Sequence, residues 1–360
     1  MPVVTDQPVH PEIRRQVDAA MSAYSVSGMA VAYQRADNPA TILTFGEDPA
    51  GRPVQPDSLF AVASVTKLAT ALAVLAFVDR GQLSLDASLS NFIPEARAAR
   101  PGVTIRRLLS HTAGLPCDVD MTWVRTAAKV DWHGFARACL TTDPVESPGT
   151  CVQYSNVGFG LLAVVIERFT RHSFRSVVDS RVLGRLGVEG YLGIEPPRVP
   201  MSVADVRGEW LGTKFEPFNT PFWRSLGLPW GGLVTTVGGA LSLVRAFRPG
   251  SGAGISDSTL ADAVSNQSGE LSGGFLPPLV WPNCWWGLGP DLHAQKRPHW
   301  VPSAASPWTY GHSGASGALA YLDPTNDIAW AIAGTRTADN GWLVRGGPRI
   351  GQAILESFVG

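Results

Sequence analysis

The chain has 360 residues, of which 45% are hydrophobic and 16% are charged, and its formal net charge is −1. This length suffices for one large domain or two medium ones with a sizeable core. The balanced charge, without runs of lysine and arginine or basic patches among aromatic residues, argues against nucleic acid and anionic membranes as partners.

The N-terminal segment MPVVTDQPVHPEIRRQVDAAM has no apolar core followed by a cleavage-site pattern. The longest apolar run, residues 68–78, is too short to span a bilayer and indicates a buried helix. We therefore expect a soluble, cytoplasmic protein that needs no metal and no cofactor. In that compartment the four widely spaced cysteines are expected to be free and buried: Cys117, Cys139, Cys151 and Cys284.

The first third of the chain predicts strands and then helices. An amphipathic helix is predicted at residues 10–23, followed by two strand-like runs around a turn, MAVAYQRA and ATILTFG. A helix at about residues 64–80 has apolar residues at helical spacing and ends at Gly81. Residues 86–185 are predicted to be helical with loops, and the segment VGFGLLAVVIERFTR gives the strongest helical pattern among them.

The last third returns to strands. Residues 196–230 are rich in proline and tryptophan and weakly periodic, and GGLVTTVGGALSLVRAF then predicts a glycine turn, a strand and a helix. A hairpin is predicted around residues 324–327, and a final helix at about 348–358. Because strands lie at both ends, the simplest assembly is one sheet built from both termini, with packed helices and an inserted helical domain.

The segment SVTK places Ser64 and Lys67 three residues apart at the start of the predicted helix. Residues at this spacing share one helix face, with Cβ atoms about 5–6 Å apart. Desolvation would lower the pKa of Lys67, so its neutral amine could accept the proton of Ser64. The helix N-terminus would favour an oxyanion. Alone, S-x-x-K is weak, because an N-cap serine followed by a snorkelling lysine has the same pattern.

Two later segments offer matching chemistry. Tyr154 and Asn156, in VQYSNVGFG, precede a predicted helix; a phenol near a lysine ammonium can lose its proton more easily and pass it to a leaving group. The amide of Asn156 could hold Lys67 and the substrate. In YGHSGASGALAYLD, Gly314 would let a substrate approach the backbone, and the N–H group of Ala315 could complete an oxyanion hole.

In this order, S-x-x-K, Y-x-N and [KH]-[ST]-G resemble the serine β-lactamase and penicillin-binding protein superfamily. The resemblance is closest to its class C branch, which includes D-aminopeptidases, D-amino acid amidases, family VIII carboxylesterases and natural-product acyltransferases. It spans residues 29–358 and implies an α+β, serine β-lactamase-like fold. An antiparallel sheet flanked by helices would occupy residues 1–63 and 228–360, a helical domain residues 64–227, and the active site would lie between them.

The resemblance also implies roles for individual residues. Ser64 would be the acylated nucleophile, Lys67 its proton acceptor, Tyr154 a base or acid coupled to Lys67, and Asn156 a residue that orients the substrate. The third motif would supply a strand wall, His312, Ser313 and Gly314, while the N–H groups of Ser64 and Ala315 would form the oxyanion hole.

Tryptophans and glycines suggest pocket residues. Trp230 and Gly231 lie in a segment that resembles one lining the pocket of family VIII esterases, although a simple turn would explain Gly231 equally well. Trp285 and Trp286 belong to a Trp-rich stretch that either packs an irregular segment or forms an aromatic wall beside the pocket. His111 also lies in a family-like segment and is interpreted as structural.

One departure from the family pattern bears on the substrate. Many β-lactamases have a lysine at the first position of the third motif, where it helps to bind a carboxylate. Here that position is His312, which is mostly neutral at pH 7 by its reference pKa. The histidine therefore weakens the case for an anionic β-lactam or peptide carboxylate without arguing against acyl transfer.

Two other functional classes share parts of this pattern. The segment GHSGA mimics the nucleophile elbow of α/β-hydrolases, with Ser313 as nucleophile, but a strand-like run follows it and no histidine comes later in the chain. The fold also serves non-catalytic sensors and scaffolds, whereas all three motifs are chemically intact here.

The sequence therefore favours a serine carboxylesterase that forms an acyl-enzyme with an apolar or aromatic small-molecule ester. A D-amino acid amidase or aminopeptidase, and a transacylase that moves the acyl group to an amine or alcohol, remain open.

Overall fold

The computed structural model describes residues 3–4 and 9–358 of the chain. Its strands are, in chain order, β1 (Val3–Val4), β2 (Gly28–Arg35), β3 (Ala40–Gly46), β4 (Leu59–Ala61), β5 (Val152–Gln153), β6 (Gly190–Leu192), β7 (Leu233–Thr236), β8 (Gly273–Gly274), β9 (Val280–Trp281), β10 (Asp291–Leu292), β11 (Tyr310–Gly314), β12 (Ala318–Asp323) and β13 (Ile328–Gly334).

Helices occupy much of the middle of the chain. They are α1 (Pro11–Tyr24), α2 (Thr66–Val78), α3 (Ile105–Leu109), α4 (Trp132–Thr141), α5 (Asn156–Thr170), α6 (Phe174–Val178), α7 (Gly184–Leu186), α8 (Pro221–Ser225), α9 (Val237–Arg245), α10 (Asp257–Ala263) and α11 (Trp342–Glu356). One π-helical stretch, Asp179–Leu183, joins α6 to α7. No helix in the described part of the chain is long and apolar enough to cross a membrane.

The main sheet has seven strands in the order β1-β3-β2-β13-β12-β11-β10, and every pair is antiparallel except β1 with β3. The N-terminal hairpin β2–β3 joins the C-terminal strands through the pairing of β2 with β13. The sheet is therefore built from both ends of the chain, as the sequence predicted. Two three-stranded sheets, β4-β7-β6 and β5-β8-β9, lie outside it.

Alternating side chains of the sheet enter two cores. On one face, Met29 and Val31 of β2 pack in a cluster with residues of α1 and α11. On the other face, Ala30 and Ala32 belong to a second cluster with α9, α2 and α5. Because these residues are small, α9 can pack close to the sheet, with the helices of the middle of the chain beyond it.

The helical part of the chain falls where the sequence predicted it. Helices α2 to α8 lie within residues 64–227, although the division of the chain into two domains stays a prediction. The predicted sheet domain also included residues 1–2, 5–8 and 359–360, which lie outside the described residues.

The prediction for the last helix was wrong at its start. Pro348 was interpreted as the first residue of the helix, yet α11 begins at Trp342 and contains Pro348 in its interior. Trp342 and Leu343 are fully buried against the sheet, and Trp342 Nε1 donates to the carbonyl of Arg336 at 3.1 Å. The free energy gained by burying these side chains outweighs the loss of the backbone hydrogen bond that Pro348 cannot donate.

Candidate active site

Ser64 lies at the point where a strand runs into a buried helix. It is the middle residue of a 3-10 turn, Ala63–Val65, between β4 and α2. Ala63, directly before it, has φ +43°, a left-handed conformation that is strained for a residue with a Cβ atom. The residues of α2 from Thr66 to Phe77 are all buried, so Lys67, one turn from Ser64, cannot reach bulk water.

The ammonium group of Lys67 has three oxygen partners. Its Nζ donates to Ser64 Oγ at 3.2 Å, to Asn156 Oδ1 at 2.6 Å and to the carbonyl of Trp230 at 3.1 Å. A neutral amine has only two N–H groups and one lone pair. On deprotonation, Asn156 and Trp230 can keep the two N–H groups, and the lone pair is left for the hydroxyl of Ser64.

Burial lowers the pKa of Lys67 from its ordinary 10.5 to about 7, because a charge without bulk solvent is disfavoured. The negative charge of Asp118 opposes this shift. Near neutral pH a substantial fraction of the Lys67 side chains is therefore neutral, which is the state a general base requires.

Tyr154 packs against Lys67 through its ring. Lys67 Nζ lies 4.6 Å from the ring centroid, a cation–π distance. Burial raises the pKa of the Tyr154 hydroxyl well above 10, and the neighbouring hydroxyl of Ser64 only partly opposes the rise. The sequence argument that a nearby lysine would ease the loss of this proton is therefore wrong in direction, because desolvation of the phenolate dominates. Tyr154 is therefore held as a neutral phenol.

Asn156 begins α5, and its local hydrogen bonds fix its position. The side chain of Ser155 caps the helix by accepting from the N–H group of Gly158, and its own N–H group donates to His111 Nδ1 at 3.0 Å. His111 is buried and has a pKa well below 6.5, chiefly through burial, so its contacts suit the structural role predicted for it. The amide of Asn156 then points Oδ1 at Lys67 and Nδ2 at Asp118.

Strand β11 brings the third motif to Ser64. A Cβ atom on Gly314 would lie 2.3 Å from the carbonyl oxygen of Val62 and 3.2 Å from the backbone nitrogen of Ser64, so only glycine fits there. Ala315, the next residue, lines the same cavity as Ser64. The oxyanion hole expected from the N–H groups of Ser64 and Ala315 stays a prediction.

The other two residues of the third motif lie behind this contact. His312 is fully buried, and burial lowers its pKa to about 3, so it is neutral. Its Nδ1 bonds to the carbonyl of Ser313 at 2.7 Å, while Nε2 has no partner among the described residues. The hydroxyl of Ser313 is a hydrogen-bond partner of the Tyr321 side chain, in the neighbouring strand. Of these residues and Ala315, only Ala315 lines the cavity at Ser64.

The cavity at Ser64 has a volume of about 380 Å³ and is mainly aromatic and aliphatic. Ser64, Asn156 and Asp118 are its polar residues, and Trp230 and Gly231 line it together with Ala63 and Ala315. The apolar lining is Val119, Met121, Val124, Val130, Phe135, Trp210, Phe215, Pro217, Phe218, Trp223, Leu226 and Leu228. A cavity of this size and lining is typical of sites for small organic molecules.

The prediction that Trp285 and Trp286 line this cavity does not fit the structure. Trp286 is fully buried behind Tyr154, with ring centroids 5.9 Å apart, and its Nε1 donates to the carbonyl of Gly289. Trp285 lines a different cavity, beside Lys296 and Arg297. The Trp-rich stretch mainly packs an irregular segment, which was the simpler of the two interpretations.

Asp118 and a wall of aromatic side chains were not predicted from the sequence; the wall consists of Trp210, Phe215, Phe218 and Trp223. The signal for the wall was the weakly periodic, Trp-rich segment at residues 196–230, which has too little regular structure to be placed from its pattern. Asp118 is the second residue after the segment TIRRLLSHTAGLP, which contains His111, but no spacing rule links it to Asn156.

Comparison with known proteins agrees with this geometry. The sequence matches the β-lactamase family over residues 13–353. Esterase EstB from Burkholderia gladioli is 34% identical over 183 residues, which are 44% of this chain and 45% of the esterase, so the match spans less than half of either protein. Penicillin-binding protein 4 from Amycolatopsis lactamdurans is 29% identical over 276 residues, 74% of this chain and 68% of that protein. The crystal structure of a β-lactamase from Mycobacterium bovis superposes with a TM-score of 0.66 at 26% identity, covering 95% of this chain and 99% of that one.

Proposed function

The chain belongs to the β-lactamase family, and from this premise we propose that it is a serine hydrolase that forms an acyl-enzyme on Ser64 and hydrolyses apolar or aromatic esters. The observation that carries the proposal is the environment of Lys67: a fully buried amine with a pKa of about 7, in contact with the hydroxyl of Ser64.

Acylation begins with neutral Lys67. Its lone pair accepts the proton of Ser64 while Oγ attacks the carbonyl carbon of the ester, and the carbonyl electron pair moves onto the oxygen. The N–H groups of Ser64 and Ala315 stabilise that oxyanion. Asn156 Oδ1 and the carbonyl of Trp230 remain as acceptors for the new ammonium.

Collapse of the tetrahedral intermediate expels the alcohol and leaves the acyl group on Ser64. Tyr154 is the proton donor to the leaving oxygen, because its hydroxyl is buried, protonated and adjacent to Ser64. The proton on the Lys67 ammonium then passes to the Tyr154 phenolate, which restores the neutral amine and the phenol. In deacylation, water attacks the acyl carbonyl, and the same groups act in reverse.

The lining of the cavity supports an ester with an apolar or aromatic group. Six aromatic side chains and several aliphatic ones surround Ser64, and the third motif supplies no cation, because His312 is buried and neutral. A substrate carboxylate would therefore lack a counter-charge near Ser64 and would meet Asp118 instead.

The test is intact mass after brief exposure to p-nitrophenyl butanoate, a D-amino acid amide and a penicillin, with Ser64→Ala as control and nitrophenol release followed in parallel. We expect an adduct on Ser64 from the ester that forms and disappears with turnover, and none in the variant. Full activity of Ser64→Ala would refute the mechanism.

The same experiment separates the alternatives. An adduct that persists in water and is discharged by an added amine or alcohol would identify a transacylase. An adduct from the amide alone would identify an amidase or aminopeptidase. An ester adduct that never turns over, or none with any probe, would favour a sensor or scaffold.

A further inference from the structure

We propose that Tyr321 is a positioning residue for the acylation of Ser64. Anchored by the buried carboxylate of Asp291, its hydroxyl holds Ser313 and with it the end of β11 that contacts Ser64. The inference rests on the proposed function and concerns the region behind the cavity. It starts from a buried polar cluster that the mechanism does not use, which consists of Asp291, Lys296, His299 and Tyr321.

Asp291 is the centre of this cluster. Its carboxylate accepts from the hydroxyl of Tyr321 at 2.9 Å and from Nε2 of His299 at 2.7 Å, and it pairs with the buried ammonium of Lys296. His299 is neutral, because burial lowers its pKa, and its Nδ1 accepts from the N–H group of Val301, so Nε2 carries the proton. Burial alone would raise the pKa of Asp291, but Lys296 and His299 hold it well below its ordinary value. The carboxylate therefore stays charged.

The carboxylate reaches Tyr321 across a glycine. Asp291 of β10 lies opposite Gly311 of β11, and Gly311 lies opposite Tyr321 of β12. Residues directly opposite each other point to the same face of a sheet, so the missing side chain of Gly311 leaves room for the bond. A Cβ atom on Gly311 would lie 2.6 Å from Cδ1 of Tyr321, which shows how closely the ring packs there. Ser313, two residues further along β11, shares this face, and its hydroxyl is a hydrogen-bond partner of the Tyr321 side chain.

The end of β11 needs such a support because it is paired on one side only. Strand β12 pairs with every residue of β11, whereas the pairs of β11 with β10 end at Gly311. At its end β11 instead contacts the turn of Ser64, where a Cβ atom on Gly314 would lie 3.2 Å from the Ser64 nitrogen. The bond between Ser313 and Tyr321 lies one residue before this contact. It therefore fixes the part of the strand whose position relative to the nucleophile matters.

Stability alone does not explain the cluster. Taking a carboxylate and an ammonium out of water is costly, and well-packed apolar side chains in their place are often as stable or more so. A fully bonded buried network, in contrast, permits one arrangement of its members. Asp291 and Lys296 thus give the hydroxyl of Tyr321 a fixed acceptor, which an apolar core could not supply.

The experiment compares Tyr321→Phe with Tyr310→Phe in the full chain. Tyr310 is the matched control, because it is a buried tyrosine of β11 whose hydroxyl has no partner among the described residues. Ser313→Ala and the double variant with Tyr321→Phe complete the set. Each protein is mixed in excess with p-nitrophenyl butanoate, and the release of nitrophenol in this single turnover gives the acylation rate constant and the half-saturating protein concentration. Urea unfolding midpoints are measured in parallel.

We expect Tyr321→Phe to slow acylation by about ten- to a hundredfold, with a half-saturating concentration within about twofold of the wild type, as for misplacement of reacting groups. Ser313→Ala should slow it by a similar factor. The double variant should be no slower than the slower single variant, because both hydroxyls act through one contact. Tyr310→Phe should keep the wild-type rate.

Three results would overturn the inference and leave the proposed function standing. A wild-type acylation rate in Tyr321→Phe, even with a lower unfolding midpoint, would make the cluster purely structural. Losses that multiply in the double variant would mean that Tyr321 does not act through Ser313. An equal loss in Tyr310→Phe would show that the anchored hydroxyl has no special part.

Two further outcomes are decisive. If Tyr321→Phe does not fold, Ser313→Ala takes its place: a slower acylation rate supports the inference, and a wild-type rate overturns it. If the wild type releases no nitrophenol and no ester acylates Ser64, the proposed function fails and the inference fails with it.

Discussion

The Nζ atom of Lys67 lies 2.6 Å from Oδ1 of Asn156, a closer contact than its 3.2 Å to Ser64 Oγ. Asn156 thus fixes the amine, and the carboxylate of Asp118, which only accepts hydrogen bonds, fixes the amide orientation of Asn156. The position of the Lys67 amine is determined by helix α5 as much as by its own helix α2.

The pH profile should report Lys67. Because burial lowers its pKa to about 7, kcat/KM for a neutral ester should rise with pH through about 7 and then level off. In Lys67→Ala, kcat/KM should fall by about 10²–10⁴-fold, and its rise near pH 7 should disappear. Steady-state kinetics from pH 5 to 9 check this, and a profile in the variant that keeps the limb would remove Lys67 as the base.

Lys67 should also make folding stability depend on pH. Its pKa is about 7 when folded and near the ordinary 10.5 when unfolded, so between these values the unfolded state binds more protons. Relative to Lys67→Met, the wild type should gain stability from about pH 7 to 10.5, by at most about 1.4 kcal/mol per pH unit, and no further above that. Urea unfolding of both proteins across this range measures it; a constant difference would contradict the buried pKa.

Tyr154→Phe should distinguish leaving groups. A phenol that protonates the departing oxygen matters for an alkyl alcohol and much less for p-nitrophenol, which leaves as an anion. The variant should therefore lose at least about tenfold more kcat/KM on an alkyl ester than on its p-nitrophenyl counterpart. Equal losses on both would assign Tyr154 to proton removal from Ser64 instead. Because its pKa lies well above 10, no alkaline decline below pH 10 should come from Tyr154.

Gly314→Ala should separate β11 from Ser64. The added methyl group would lie 2.3 Å from the carbonyl oxygen of Val62, so the strand must shift and the oxyanion donors with it. We expect kcat to fall by about 10²–10³-fold and stability by about 1–3 kcal/mol. Gly231→Ala is the stability control, since the nearest atom to its Cβ would be 3.9 Å away. Equal unfolding midpoints for the two variants would contradict the close contact.

Trp223→Ala should change the preferred acyl length. Trp223 lines the cavity, and loss of its side chain enlarges a space of about 380 Å³. The kcat/KM optimum across p-nitrophenyl esters from butanoate to dodecanoate should move to longer chains. An unchanged optimum would mean that the acyl group occupies another part of the cavity.

The sequence was informative wherever one local element sets the geometry. Ser64 and Lys67 meet because a helix turn joins them, and the β12–β13 hairpin follows from two apolar runs around a turn. The contact between β11 and Ser64 was predicted from the family resemblance and not from any local pattern, since no local rule links segments so distant in the chain.

What the sequence could not supply depends on long-range packing. Trp285 and Trp223 are both tryptophans in proline-rich stretches, yet only Trp223 lines the cavity. The sequence predicted that the Tyr154 hydroxyl loses its proton easily, whereas burial raises its pKa, and no sequence motif shows burial.

The pairing of β2 with β13 has a consequence for synthesis of the chain. The ribosome releases Ser64 and Lys67 early, but β11, which contacts Ser64, and β13, which pairs with β2, come near the end of the chain. Until they emerge, the β2–β3 hairpin has an unpaired edge, which nascent-chain chaperones can recognise. A chain truncated before β11 would therefore keep Ser64 and Lys67 but lack the strand that pairs with β2.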